Sequence, residues 1–178
     1  MDARWGLVVL LLPLVSGCLV TKIFYQDVWA DPDEGDLILT ISMERTVYSV
    51  EEIANRAPNS SIMTLTIVLE NVCDRSVSVD RSFHIGTTLH PRSYAENGTE
   101  VDLLYPLVDR EVVYERFKPG ETKVCQMDLT EYDAFLMTDG ERQPFGWDVP
   151  GRYNVSIGWW GARTYLEVMS NTLTFHLV

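Results

Sequence analysis

Short stretches in which apolar and polar residues alternate run through most of this chain. In 37–44, the apolar residues Leu37, Leu39, Ile41 and Met43 occupy every second position, and 63–71 shows the same alternation most strongly. A period of two residues places alternate side chains on opposite faces of a β-strand. Similar stretches occupy 76–85, 94–102, 111–117, 122–129, 153–159 and 171–178. The pattern predicts about eight short strands.

Turn-forming residues separate these stretches. Asn97-Gly98 predicts a hairpin turn, and Pro119-Gly120 and Pro150-Gly151 predict two more tight turns. Ser49 and Glu52 have the spacing of a capping box, which predicts one or two helical turns ending near residue 57. This spacing of strands and turns is typical of a β-sandwich, so we expect an all-β, Ig-like antiparallel sandwich.

One region does not follow the alternating pattern. Residues 130–143 show no clear period and are expected to be irregular, with a helical turn near 132–136. An acidic segment, 31–36, contains a proline and a glycine and is expected to form a solvated turn. Calcium binding by its carboxylates is an alternative interpretation, although the segment does not match the spacing of a helix-loop-helix calcium loop.

The first residues have the features of an export signal. Arg4 lies in a short head, the apolar run Leu7–Val15 follows, and small residues precede Cys18. The run is too short to span a bilayer as a helix but suits a signal peptide. Val15-Ser16-Gly17-Cys18 resembles the lipobox of prokaryotic lipoproteins, whose cysteine carries the lipid. An ordinary signal peptide, with Cys18 incidental, is the alternative.

These features divide the chain into three segments. We expect a signal peptide at 1–17, a lipid-anchored tether or first strand at 18–36, and the sandwich domain at 37–178. The protein would then be exported and held at the cell membrane or cell surface by a lipid on Cys18, facing outside. The formal net charge of −12 argues against a nucleic-acid partner, so we expect none, because such proteins displace counterions with Lys and Arg.

Two further cysteines, Cys73 and Cys125, would lie in an oxidising compartment after export. Alternation places both on the inward face of their strands, so we predict a disulfide between them; two buried free thiols are the alternative. Three Asn-x-Ser/Thr sequons, at Asn59, Asn97 and Asn154, are candidate glycosylation sites.

The sequence contains no catalytic motif. The three histidines form no metal-binding motif, and there is no nucleophile elbow, phosphate loop or convincing carboxylate pair. We therefore expect no enzyme activity, no catalytic residue, no cofactor and no metal.

Large aromatic residues in the last third are the remaining candidate for a site. We predict a binding patch formed by Trp147, Trp160 and Tyr165, for a protein or glycan partner. The alternative is that one tryptophan belongs to the core while another covers a sheet edge.

A family resemblance supports the fold. A strand at Leu65–Asn71 ends in Glu-Asn, a Pro-Gly-Glu turn at 119–121 leads a second strand, and a Pro-Gly-x-Tyr turn at 150–153 leads the last hairpin. This order resembles Ig-like domains of prokaryotic, including archaeal, surface lipoproteins and the bacterial intracellular proteinase inhibitor domain. The resemblance implies an Ig-like sandwich. It leaves two functions open: a non-catalytic, envelope-anchored binding or accessory domain, or alternatively a protease inhibitor, for which no reactive loop can be matched.

Overall fold

The computed structural model describes residues 30–57, 60–105, 112–161 and 166–178. Residues Asp31–Val178 form one compact unit, whose fold is described below. Its strands are β1 (Leu37–Met43), β2 (Val47–Tyr48), β3 (Thr64–Asn71), β4 (Val77–Asp80), β5 (Leu89–Ala95), β6 (Glu100–Leu104), β7 (Tyr114–Phe117), β8 (Thr122–Asp128), β9 (Asp133–Thr138), β10 (Glu141–Phe145), β11 (Gly151–Trp160), β12 (Glu167–Met169) and β13 (Leu173–Leu177). One five-residue helix, α1 (Val50–Ala54), and a 3-10 turn (Leu129–Glu131) complete the described elements. The protein is an all-β sandwich, as predicted.

The smaller of the two main sheets has three antiparallel strands in the order β1-β3-β8. Leu39, Ile67 and Leu69 are buried on one face, whereas Ile38 and Thr40 point to solvent on the other. The predicted alternation of β1 and β3 is therefore confirmed. Burial of a single face explains the strength of the pattern, since a shift of one residue would expose every apolar side chain.

The larger sheet runs in the order β10-β9-β6-β5-β11-β13-β2, and a separate pair is formed by β4 and β7. Strand β11 is the longest, with ten residues, and lies inside the large sheet. It pairs with β5 along one edge and, along the other, with β13 and then with β12. Both edges of β11 are therefore satisfied, which makes this part of the sheet a rigid platform.

The inner faces of the two main sheets contribute to one hydrophobic core. Trp159 and Phe175 are almost completely buried in it, together with Leu65 and Ile157. The rings of Tyr153 and Phe175 stack with centroids 5.6 Å apart. Residues 153, 155, 157 and 159 of β11 all point into this core, as their alternation predicted.

A side-chain amide covers part of the free edge of β1. The Asn171 Oδ1 atom accepts a hydrogen bond from the Ile41 backbone N–H at 2.8 Å, and its Nδ2 donates to the Ile41 carbonyl at 3.1 Å. The amide thus satisfies the two backbone groups that a neighbouring strand would satisfy. It links the segment before β13, in the large sheet, to β1 in the small sheet and protects an edge that could otherwise pair with another chain.

The expectation of an irregular segment at 130–143 is wrong. This region forms the β9–β10 hairpin, preceded by the 3-10 turn. Asp139 and Gly140 have φ angles of 53° and 81° in the connecting turn. An Asp-Gly pair of this kind is a strong hairpin signal, which the sequence-based prediction overlooked. Strand β9 has apolar side chains on both faces, so the two-residue period is hidden.

The predicted disulfide is also wrong, because Cys73 and Cys125 are both free thiols. The β3–β8 register places Cys125 opposite Ile67, whereas Cys73 lies beyond the end of β3. Position 73 is six residue steps from position 67, which corresponds to at most about 20 Å along an extended chain. The Cys73 thiol donates instead to Asn71 Oδ1 at 3.0 Å.

An arginine binds part of the acidic segment at 31–36. Arg75 Nη2 lies 2.7 Å from an Asp33 carboxylate oxygen and 2.5 Å from one of Asp36. Two of the acidic side chains are thus held by a cation within the chain, which favours the acidic turn over the calcium alternative. Among the described residues, no cluster of three or more His, Cys, Asp or Glu side chains has the geometry to hold a metal ion.

Candidate functional site

The predicted site residues do not share one environment. Cys18, Asn59 and Tyr165 lie outside the described residues. Trp147 is buried and Trp160 is exposed, so these two predicted members of the aromatic patch have different environments.

Trp147 belongs to the core, which corrects its assignment to a binding patch. Its side chain is 2% exposed, and its ring centroid lies 5.1 Å from that of Phe145 and 5.7 Å from that of Phe175. The indole N–H donates to the Leu129 carbonyl at 3.2 Å. The residue has φ = 56°, a left-handed conformation that turns its side chain inward from a loop. No periodic pattern could reveal this reversal.

Trp160 is positioned by the register of β11. Trp159 pairs with Leu89 of β5 and points into the core, so the next residue must point outward. Trp160 is 46% exposed on the outer face of the large sheet. Its backbone N–H donates to the Thr88 carbonyl at 2.9 Å, so a backbone hydrogen bond fixes the main chain at this position.

The outer face around Trp160 contains two more ring side chains. The imidazole of His90 lies 5.7 Å from the Trp160 ring and 6.2 Å from the Tyr105 ring, measured between centroids. His90 Nδ1 and the Tyr105 hydroxyl are hydrogen-bonded at 3.2 Å. Three rings therefore form one continuous aromatic cluster across β11, β5 and the end of β6.

Polar side chains of β5 and β12 adjoin this cluster. Arg92 Nη2 donates to Glu167 Oε1 at 2.5 Å, and both side chains are partly exposed. Met169, 42% exposed, lies on the same face of β12 as Glu167. We call this surface the Trp160 face; it consists of His90, Arg92, Tyr105, Trp160, Glu167 and Met169.

Gly158 forms the floor beneath these side chains. It pairs with His90 on one side and with Met169 on the other. A Cβ atom at this position would lie 3.0 Å from Glu167 Oε1 and 3.2 Å from Met169 Sδ. The absence of a side chain therefore lets Glu167 and Met169 lie close against the sheet beside Trp160.

The electrostatics of the Trp160 face are balanced. Arg92 and Glu167 neutralise each other, and partial burial lowers the pKa of His90 from its ordinary value of 6.5. Burial likewise raises the pKa of the Tyr105 hydroxyl, with a smaller contribution from Asp102. At neutral pH the imidazole and phenol are therefore uncharged, and each can donate or accept a hydrogen bond.

Two shallow cavities lie elsewhere on the described surface. One, of 330 Å³, is bounded by Arg56, Thr130 and Trp147 at the end of the β9–β10 hairpin. Its arginine donates to the Thr130 hydroxyl, and Asp133 at its rim opposes any anionic ligand. The other, of 360 Å³, lies between the β5–β6 turn and Val149. Neither cavity brings together an exposed aromatic ring and an ion pair as the Trp160 face does.

The two described sequons differ in accessibility. Asn97 is exposed at the β5–β6 turn, where its Oδ1 accepts from the Thr99 backbone N–H at 3.0 Å. Asn154 lies within β11, where its Oδ1 accepts from the Thr174 hydroxyl at 2.7 Å. Asn154 does face outward, as expected, but it is flanked by paired strands. Asn97 is therefore the more accessible candidate acceptor in the folded protein.

Comparison with known proteins gives only distant resemblances. No protein-family model and no curated protein matches the chain. Among solved structures, the chain is similar to a mutant β-glucosidase from Listeria innocua in complex with laminaribiose (12% identity, TM-score 0.35, covering 80% of this chain and 16% of that one). It also resembles β-D-glucoside glucohydrolase from Trichoderma reesei (9% identity, TM-score 0.35, 79% and 18%) and a family 123 glycoside hydrolase from Clostridium perfringens (12% identity, TM-score 0.31, 80% and 27%). The chain thus spans less than a third of each of these proteins.

Sequence reasoning missed most of the Trp160 face. It singled out Trp160 but not His90, Arg92 or Glu167, because the pairing of β5 and β12 with β11 was unknown. The parity of β5 was a usable signal, since residues 90, 92 and 94 must share one face of a strand.

None of the described helices is long and apolar enough to span a membrane.

Proposed function

We propose that this protein is a non-catalytic binding or accessory domain of the cell envelope, exported and anchored by a lipid on Cys18. Its recognition surface is the Trp160 face. The observation that carries the proposal is the 46% exposure of Trp160 on a strand, β11, that is paired on both sides. A large exposed aromatic on a rigid element offers contact area with little loss of conformational entropy on binding.

The surroundings of Trp160 support this role. Rings and charged side chains lie side by side on one outward surface, so apolar contact and hydrogen bonding are available together. His90 and Arg92 face away from the core, so their polar groups are available on this surface. Enrichment in aromatic residues and arginine is typical of recognition surfaces.

The binding role is tested with Trp160→Ala. The full chain in detergent solution is incubated with envelope fragments of the organism that encodes it, and bound protein is measured after sedimentation. We expect the variant to bind at least about tenfold more weakly than wild type. Val124→Ala, which truncates a side chain 62% exposed on the outer face of the small sheet, is the matched control and should bind normally. Equal binding of wild type and Trp160→Ala would contradict the proposal.

The anchor is tested separately. Cys18→Ala should abolish the incorporation of labelled fatty acid and release the protein from the membrane fraction. Retention of the variant in membranes, together with unlabelled wild type, would exclude the lipid anchor without affecting the binding role.

A further inference from the structure

The chemistry of the Trp160 face also indicates the class of its ligand. We propose that this face binds a neutral polysaccharide or oligosaccharide, an inference that rests on the proposed binding function. A pyranose ring has an apolar face of C–H groups and a rim of hydroxyls, each of which both donates and accepts hydrogen bonds. Its ideal partner combines a flat aromatic ring with planar polar groups at the edge of that ring.

The Trp160 face has this combination. The exposed indole can stack against the C–H face of a sugar, while the guanidinium of Arg92 and the carboxylate of Glu167 lie beside it. Among the described residues, Arg92 uses one guanidinium nitrogen in its contact with Glu167, and Glu167 uses one carboxylate oxygen. The remaining donors of Arg92 and the second oxygen of Glu167 can therefore bind hydroxyls of a ligand.

Charge favours a neutral glycan over an anionic one. The chain has a formal net charge of −12, which repels polyanions at a distance. Locally, the positive charge of Arg92 is offset by Glu167, and burial lowers the pKa of His90, so the imidazole does not supply a compensating cation at neutral pH. A uronic acid or sulfated polymer would find no net positive charge on this face.

The pairing of β11 argues against a peptide that would extend the sheet at β11 itself. A peptide that adds to a sheet needs an unpaired strand edge. At Gly158, β11 is paired with His90 of β5 on one edge and with Met169 of β12 on the other. Recognition at this position must therefore use side chains on the sheet face rather than backbone groups.

The test is a glycan array probed with the full chain in detergent. The array holds neutral hexose and N-acetylhexosamine oligomers, with polygalacturonate, hyaluronan and heparin as anionic controls. We expect binding to at least one neutral oligomer and none to the anionic polymers. Trp160→Phe should retain binding within about tenfold, because the ring is kept, and Trp160→Leu should lose it, because an aliphatic side chain cannot stack on a sugar. Val124→Ala should bind as wild type.

The outcomes separate this inference from the proposed function. If no glycan binds while sedimentation with envelope fragments still depends on Trp160, the glycan inference is overturned and the binding function survives. If glycan binding is found but is unchanged in Trp160→Leu, the Trp160 face is not the site and both proposals fail. A cooperative thermal transition within about 5 °C of wild type shows that each variant is folded, so that losses of binding reflect the site.

Discussion

Trp147 and Trp160 should respond very differently to truncation, although both lie in the same stretch of sequence. Trp147→Ala removes a ring that packs against Phe145, Tyr153 and Phe175 at centroid distances of 5.1, 5.8 and 5.7 Å. Truncations of this kind cost about 3–5 kcal/mol of unfolding free energy. The lost indole hydrogen bond to the Leu129 carbonyl is part of that cost. Trp160→Ala should cost only about 1–2 kcal/mol, since roughly half of the side chain is already in water.

The left-handed backbone of Trp147 sharpens this prediction. Alanine has the same steric conflict at φ = 56° as tryptophan, so this strain does not change in Trp147→Ala. Glycine adopts this φ angle without steric strain. This gain would offset the greater conformational entropy that glycine gives the unfolded chain. Trp147→Gly should therefore be no less stable than Trp147→Ala, whereas glycine is normally the more damaging of the two inside regular structure.

The assay is urea unfolding followed by far-ultraviolet circular dichroism, which does not depend on tryptophan fluorescence. The midpoint should fall strongly for Trp147→Ala with an unchanged slope, indicating lost stability rather than a changed denatured state. In a thermal melt, a loss of 3–5 kcal/mol corresponds to a decrease of about 10–15 °C for a domain of this size. A loss below about 1 kcal/mol for Trp147→Ala, or a larger loss for Trp160→Ala, would refute the assignment of core and surface.

Three further outcomes are expected. Asn171→Ala removes both hydrogen bonds to Ile41 and should lower the unfolding free energy by about 1–3 kcal/mol in urea titrations. A smaller loss would mean that water replaces the amide in the variant. Burial lowers the pKa of His90, so its contribution to stability is present above the ordinary value of 6.5 and is lost as pH falls through the lower folded pKa. Urea unfolding on the acid side of neutrality should therefore show a decline that is reduced in His90→Gln; an identical decline would contradict this. Cys73 and Cys125 should both be alkylated after non-reducing denaturation, as measured by mass spectrometry, and recovery of a linked peptide pair would restore the disulfide hypothesis.

Alternation along single strands was enough to predict the faces of β1, β3 and β11. In each, one face is buried and the other meets solvent, so Leu39, Ile67 and Val155 could be assigned to the core from the sequence. Strand β9 could not be recognised in this way, because it carries apolar side chains on both faces. The all-β class followed from the confirmed strands without it.

The alternation of apolar and polar residues does not show which strands pair with each other or in which register. Parity indicates which way Cys125 points, but the register decides that it lies opposite Ile67 and far from Cys73. The same limit hid the Trp160 face, since His90 and Glu167 approach Trp160 only through the β5–β11 and β11–β12 pairing. Trp147 was assigned to the surface patch for a different reason. It lies in a loop with a left-handed backbone, where the alternation of apolar and polar residues does not indicate which way a side chain points.

The central claim is that Trp160 is a contact residue on the outer face of the large sheet. Fluorine NMR of protein labelled with 5-fluorotryptophan tests it directly, because each tryptophan that remains after signal-peptide removal gives a resonance that single Trp→Phe variants assign. A soluble neutral polysaccharide from the envelope should shift or broaden the Trp160 resonance and leave those of Trp147 and Trp159 unchanged. Saturating binding with an unperturbed Trp160 resonance would contradict the claim.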